Sequence, residues 1–178
     1  DLERSPMEGM DAPAKAPSRD RVLGDDELRL VWQASHTLGY PFGYIFRLLV
    51  LTGARREEVA SLDWSELSRE EGVWLLPSQR SKNGVSARQP LSTLAMAELE
   101  ALAERAGGWR RAGLLFSTNG TTSSSGHSKA KARLDGAVAA RAGLVNLREQ
   151  VVDRWVDNAF KLGSHVYSLI SPINSTTC

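Results

Sequence analysis

The sequence predicts a mainly α-helical domain with one small antiparallel β-sheet, an α+β class. Three observations carry this. Apolar residues recur at helical spacing in several separate segments. The period changes once, between Gly72 and Leu91, where β-forming residues flank an Asn-Gly pair. The 178 residues, 42% hydrophobic and 24% charged, have the balance of an ordinary globular chain.

Taken in order, residues 1–24 are rich in Pro, Ala, Ser and charge, and they read as a linker. The first helix is expected at "DDELRLVWQASHTL", with Asp25 as N-cap and Leu28, Val31, Trp32 and Ser35 on one stripe. Tyr40-Pro41 ends it. "FGYIFRLLVLTG" reads as a largely buried helix stopping at Gly53, and "RREEVASL" as a short helix behind it. Two or three antiparallel strands are expected over Gly72–Leu91, with Pro77 closing the first and Asn83-Gly84 forming a hairpin turn. Leu94, Leu99 and Leu102 mark the next helix, closed by Gly107-Gly108. "GLLFS" is a short extended piece and "TNGTTSSSG" a polar loop. An amphipathic helix follows, with Ser128 as cap and Gly143 as stop. A last helix can be drawn over "REQVVDRWVDNAFKLG", where Val151, Val152, Trp155, Val156 and Phe160 share a side.

Several functions are excluded or disfavoured. No apolar run approaches the roughly 20 residues of a membrane span, so no membrane partner is expected. The start is charged and unlike a signal peptide. With a lone cysteine, Cys178, no internal disulfide is possible, which fits a reducing, cytoplasmic setting. His36, His127 and His165 lack ligand spacing, so no metal site is expected. Neither a Walker loop nor a dinucleotide fingerprint is present. The net charge of +1 conceals an uneven distribution. Residues 78–148 carry 11 basic and 4 acidic side chains, a balance of +7, between two acidic flanks. That segment suggests a surface for a polyanion, although charge runs are commonly just solvated faces.

Arg55 and Lys82 are the candidates for chemistry. Arg55 follows the tight Thr52-Gly53 turn at a helix start, where backbone amides and a guanidinium fork can meet an anion together. Glu58 stands three residues on, within helical reach of the guanidinium. Read alone, the pair is equally an ordinary surface ion pair. Lys82, just before Asn83-Gly84, is either a flexible ammonium that enters a groove or a solubilising turn residue.

The combination of "TGARREEV" with "RSKNG" and "PLS" at this separation resembles the tyrosine recombinases, also called phage integrases, of prophages and genomic islands. The likeness covers roughly residues 19–143, through "LLFS" and "SGHSKAKARLD". It implies the fold of that family's catalytic domain, double-stranded DNA as partner, and a phosphoryl transfer needing neither metal nor cofactor. A tyrosine attacks the phosphodiester, leaving a 3′-phosphotyrosyl link and a 5′-hydroxyl. By the resemblance Arg55 matches the first catalytic arginine and Lys82 the hairpin lysine that acts as general acid, with Glu58 supporting the arginine. Arg80, Arg88 and Lys129 fall where the family tracks the DNA backbone, and they are assigned phosphate contacts.

Past Gly143 the pattern stops. The family's His-x-x-Arg box and nucleophile are not found: His127 is followed three residues later by Ala130, and His165 by Ser168. Tyr167, the sole tyrosine past Tyr44, lies only two residues from His165. The expected organisation is therefore a linker over 1–24, an incomplete integrase-like catalytic domain over 25–143, and a divergent tail over 144–178, which a frame change or premature end in the gene, or a remodelled tail, would each produce. Such a chain is expected to be inactive alone, with itself or a full-length integrase as a further partner. The alternative is a non-catalytic DNA-binding or integrase-interacting protein.

Overall fold

The computed structural model describes residues 23–142. Five α-helices are described, α1 (Asp25–Ser35), α2 (Phe42–Thr52), α3 (Arg56–Ala60), α4 (Thr93–Arg105) and α5 (His127–Ala142). A three-stranded sheet, β1 (Leu67–Ser68), β2 (Val73–Leu76) and β3 (Ala87–Pro90), lies between α3 and α4 in the chain. This is the mainly helical α+β class that the sequence predicts. The expected linker, apart from its last two residues, and the expected tail with its helix lie outside the described residues.

Helix α2 forms the centre of the core, and every residue from Ile45 to Leu51 is buried. That near-continuous burial follows from its composition: a helix apolar on most sides must be covered on most sides. α1 covers it with Val31 and Ala34, α4 with Leu99 and Leu102, and Phe116 belongs to the same core. α5 packs on α1 through Ala130, Leu134 and Val138, spaced four apart on one stripe. Gly43 permits the tight α1–α2 corner. A β-carbon there would stand 2.6 Å from the backbone oxygen of Ser35, closer than packing tolerates.

Element ends depart from expectation by small, explicable amounts. Gly24, not Asp25, caps α1; its N–H donates to Glu27 Oε2 at 2.9 Å. Asp25, Asp26 and Glu27 then occupy the first turn, where the helix dipole favours acidic groups. Ser128 lies inside the first turn of α5, because Ala130 N–H already bonds the carbonyl of Gly126 at 3.0 Å. Gly107 and Gly108 close α4 as expected, with Gly108 N–H reaching back to Ala103 O at 2.7 Å and Gly107 N–H to Glu104 O at 3.1 Å.

The sheet needs a larger correction. β2 and β3 pair antiparallel, Val73 with Pro90 and Leu76 with Ala87, and the third strand is β1, upstream of Gly72. Asn83-Gly84 does not form a two-residue hairpin turn. The strands part after Leu76, and residues 77–86 form a longer loop. Two hydrogen bonds begin that loop: Pro77 O accepts from Arg80 N–H at 3.0 Å and from Ser81 N–H at 3.2 Å. Once the chain has turned there, Lys82 cannot stay in register with its partner strand. Gly84 N–H instead closes a small turn onto Ser81 O at 3.0 Å.

On the far side, Asp63 clasps the segment before the sheet to the segment after α4. Its carboxylate accepts from Ser65 N–H (2.9 Å), Ser65 Oγ (2.7 Å) and Gly113 N–H (3.0 Å to Oδ2). Trp64 N–H to Gly113 O (3.0 Å) and Leu115 N–H to Leu62 O (2.9 Å) flank it. Burial pushes the Asp63 carboxyl up, but the bonds from Ser65 and Gly113 and the charge of Arg80 outweigh it and hold it below its ordinary value. A depressed carboxyl contributes stability above the unfolded pKa and loses it as pH falls through the folded one. Asp63→Ala should therefore cost about 1–2 kcal/mol at pH 7. In urea unfolding the gap from the parent should narrow below about pH 4; a gap independent of pH would show that the carboxylate charge is not what closes the clasp.

Candidate nucleic-acid interface

Arg55 is delivered by the end of α2. Gly53 takes a left-handed conformation (φ 63°) that stops the helix, and its N–H bonds Leu49 O at 2.9 Å. Thr52 Oγ1 donates back to Leu48 O (2.6 Å) and accepts from Ala54 N–H (3.3 Å), which tightens the turn. Arg55 then stands extended as the N-cap of α3. Glu58, buried one turn on, holds it at two places. Oε2 accepts from Arg55 N–H at 3.0 Å, while Oε1 meets Arg55 Nη1 at 2.9 Å. Main chain and guanidinium are thus set by one carboxylate, with 31% of the Arg55 side chain facing solvent. Neighbouring Arg56 turns outward to Glu57 at 2.7 Å. α3 is only five residues long, so the guanidinium, rather than a helix dipole, would dominate any field here.

The loop carrying Lys82 is fastened to the same helix. Arg80 runs inward beside α3. Its Nη2 donates to the carbonyl of Glu58 (2.6 Å) and to Ser61 Oγ (2.9 Å), and its Nη1 pairs with Glu66 Oε1. Glu66 is buried and accepts with its second oxygen from Trp74 Nε1 at 3.0 Å. Arg80, expected from the sequence to contact phosphate, is turned inward in this structure. Its guanidinium faces a buried carboxylate and a helix carbonyl, and those bonds would have to break before it could reach DNA. Lys82, two residues on, is exposed at the loop tip beside Asn83 and Gly84.

The other expected contacts are more scattered. Arg88 lies on β3, with 62% of its side chain exposed and Nη2 at 3.1 Å from Glu71 Oε2. Lys129 is exposed in the first turn of α5, on an element packed against α1 rather than built into the Arg55 corner. Arg55, Glu58 and Arg80 are therefore bonded into one unit, with Lys82 on its attached loop, while Arg88 and Lys129 stand on separate elements. Among the described residues no group of three His, Cys, Asp or Glu is placed to hold a metal, and no helix is long and apolar enough to cross a membrane.

Sequence reasoning missed Glu66, Ser61, Trp74 and Gln89. Gln89 reaches from β3 to Thr52 O, tying the sheet to the turn before Arg55. The available signal was Glu66 itself, a carboxylate inside a segment that buries Trp64 and Trp74 on either side. Such a group must be paired.

The family described as the phage integrase family matches residues 21–148, and the chain belongs to it. Over 56 residues it is 39% identical to prophage integrase IntF of Escherichia coli (strain K12). That stretch makes up 31% of this chain and 12% of that protein, so only a small part of the relative's length is spanned. No solved structure matches.

Proposed function

We propose that this chain carries part of the catalytic domain of a tyrosine recombinase and acts in site-specific DNA integration or recombination. Arg55 clamps a non-bridging phosphate oxygen in this reading. Lys82 is the general acid for the leaving oxygen, and Glu58 orients the arginine. Arg88 and Lys129 follow the flanking double-stranded DNA backbone. The observation that carries it is the double use of Glu58. Its carboxylate sets Arg55, and its carbonyl receives the arginine that anchors the Lys82 loop. Two cations required by phosphoryl transfer are thereby referred to one residue.

Residues 25–143 form the domain in this proposal, with residues 1–24 a linker and 144–178 a divergent tail. Strand cleavage also needs a His-x-x-Arg box and a tyrosine nucleophile, which residues 127–178 do not offer at the family's spacing. Nucleophile and clamp act as a unit, so the chain alone binds DNA without cutting it. A full-length integrase could supply the missing groups.

Binding of a DNA duplex should fall steeply with salt, and Lys82→Ala should reduce the slope of log K against log salt by about 1. A salt-independent affinity, or none at low salt, would remove the reading. Formation of a covalent protein–DNA adduct by the chain alone would overturn its inactive part.

A further inference from the structure

We propose that Glu66 and Arg80 are positioning residues that fix the loop carrying Lys82 relative to the Arg55 corner, a role resting on the function proposed above. The chain of contacts is short and continuous. Trp74 on β2 and Arg80 in the following loop bind the two oxygens of Glu66. Arg80 also binds the carbonyl of Glu58 and the hydroxyl of Ser61, which places the loop base against α3. Glu58 in turn holds Arg55. Lys82 is separated from this lock by Ser81 alone.

Burial gives the arrangement its force. The side chains of Glu66 and Arg80 are 7% and 23% exposed, and a buried ion pair is weak evidence for stability, because desolvation cancels much of its attraction. Geometry is what such a pair supplies. Arginine presents several N–H groups in a rigid fork, and here the fork spans a carboxylate, a carbonyl and a hydroxyl on different elements. Lysine keeps the charge for Glu66 but has a single ammonium on a flexible stem, so it cannot reproduce that span.

Arg80→Lys is accordingly the informative variant. It should remain folded, with the circular dichroism of the parent. Hydrogen exchange at the bonded loop amides of Ser81 and Gly84 should accelerate about tenfold or more, since roughly one or two net hydrogen bonds are lost. DNA binding supplies the second readout. In the parent, Lys82→Ala should weaken affinity about fivefold to tenfold, as for one phosphate contact at moderate salt. In the Arg80→Lys background the same change should matter less than twofold, because the ammonium is no longer held in place. Lys129→Ala, on α5, should have equal effects in both backgrounds.

Unchanged loop exchange, or Lys82 and Arg80 effects that add, would overturn the proposal. If DNA binding is missing altogether, the functional reading fails, and the exchange result alone decides whether the loop is locked. Should Arg80→Lys not fold, Glu66→Gln keeps an acceptor for Trp74 while removing the charge for Arg80. The same two measurements then apply, with the same outcomes.

Discussion

Glu98→Ala should cost about 3–5 kcal/mol of folding stability, since it strips the partner from a buried guanidinium. Arg47 lies on α2 and is 5% exposed. Its Nε stands 2.8 Å from Glu98 Oε1 on α4, and its guanidinium carbon lies 4.6 Å over the ring of Tyr44. The Nε–H is not aligned on the carboxylate, so the contact is held by charge rather than by a well-formed hydrogen bond. Removing the anion leaves the buried cation without its charge partner, beside the ring face of Tyr44. Replacing both partners by apolar residues, Arg47→Met with Glu98→Leu, should fall within about 2 kcal/mol of the parent. Urea unfolding separates these cases; a Glu98→Ala loss below about 1 kcal/mol would mean that water reaches Arg47. An independent check comes from His36. Burial and then the charge of Arg47 lower its pKa, while Glu98 raises it, so its titration should move further down in Glu98→Ala.

The second large effect is expected at Phe116, which is fully buried. Phe116→Ala should cost about 3–5 kcal/mol through lost burial and the cavity left behind, and Phe116→Leu about 1–2 kcal/mol. The damage would extend beyond the core. Ser124 bonds the carbonyl of Phe116 through both its N–H and its hydroxyl, each at 2.8 Å, and the Tyr40 hydroxyl lies 3.0 Å from the carbonyls of Leu115 and Ser117. These bonds fix the serine-rich loop that leads into α5. Exchange of the Ser124 amide should rise with the loss of stability. Protection there equal to the parent's, in a variant destabilised by several kcal/mol, would show that the loop is held independently of the ring.

Most helices were legible because their causes are local. The apolar run of α2, the stripe of α4 and the glycines after it each declare themselves within a dozen residues. The Arg55–Glu58 contact was also legible, since three residues along a helix bring side chains together whatever surrounds them. What could not be read depended on distant partners. Asn83-Gly84 carries the strongest local hairpin signal, yet the strands part at Leu76, where Pro77 captures two amides and Arg80 is drawn to Glu66 fourteen residues upstream. Arg80 and Arg88 look alike as letters. Only the fold shows one turned into a buried network and the other left half in solvent.

The clasp at Asp63 and Gly113 has a consequence for how this chain can change over time. Fifty residues separate the two, and the whole sheet with α4 is strung between them. The excursion leaves and re-enters the body at nearly the same place, because Trp64 meets Gly113 and Leu62 meets Leu115. Lengthening the loop at Asn83 leaves those endpoints where they are, and doubling a flexible loop adds only about 0.6 kcal/mol of closure entropy. Residues added at that loop therefore leave the Asp63–Gly113 clasp, and the start of the segment leading to α5, where they are.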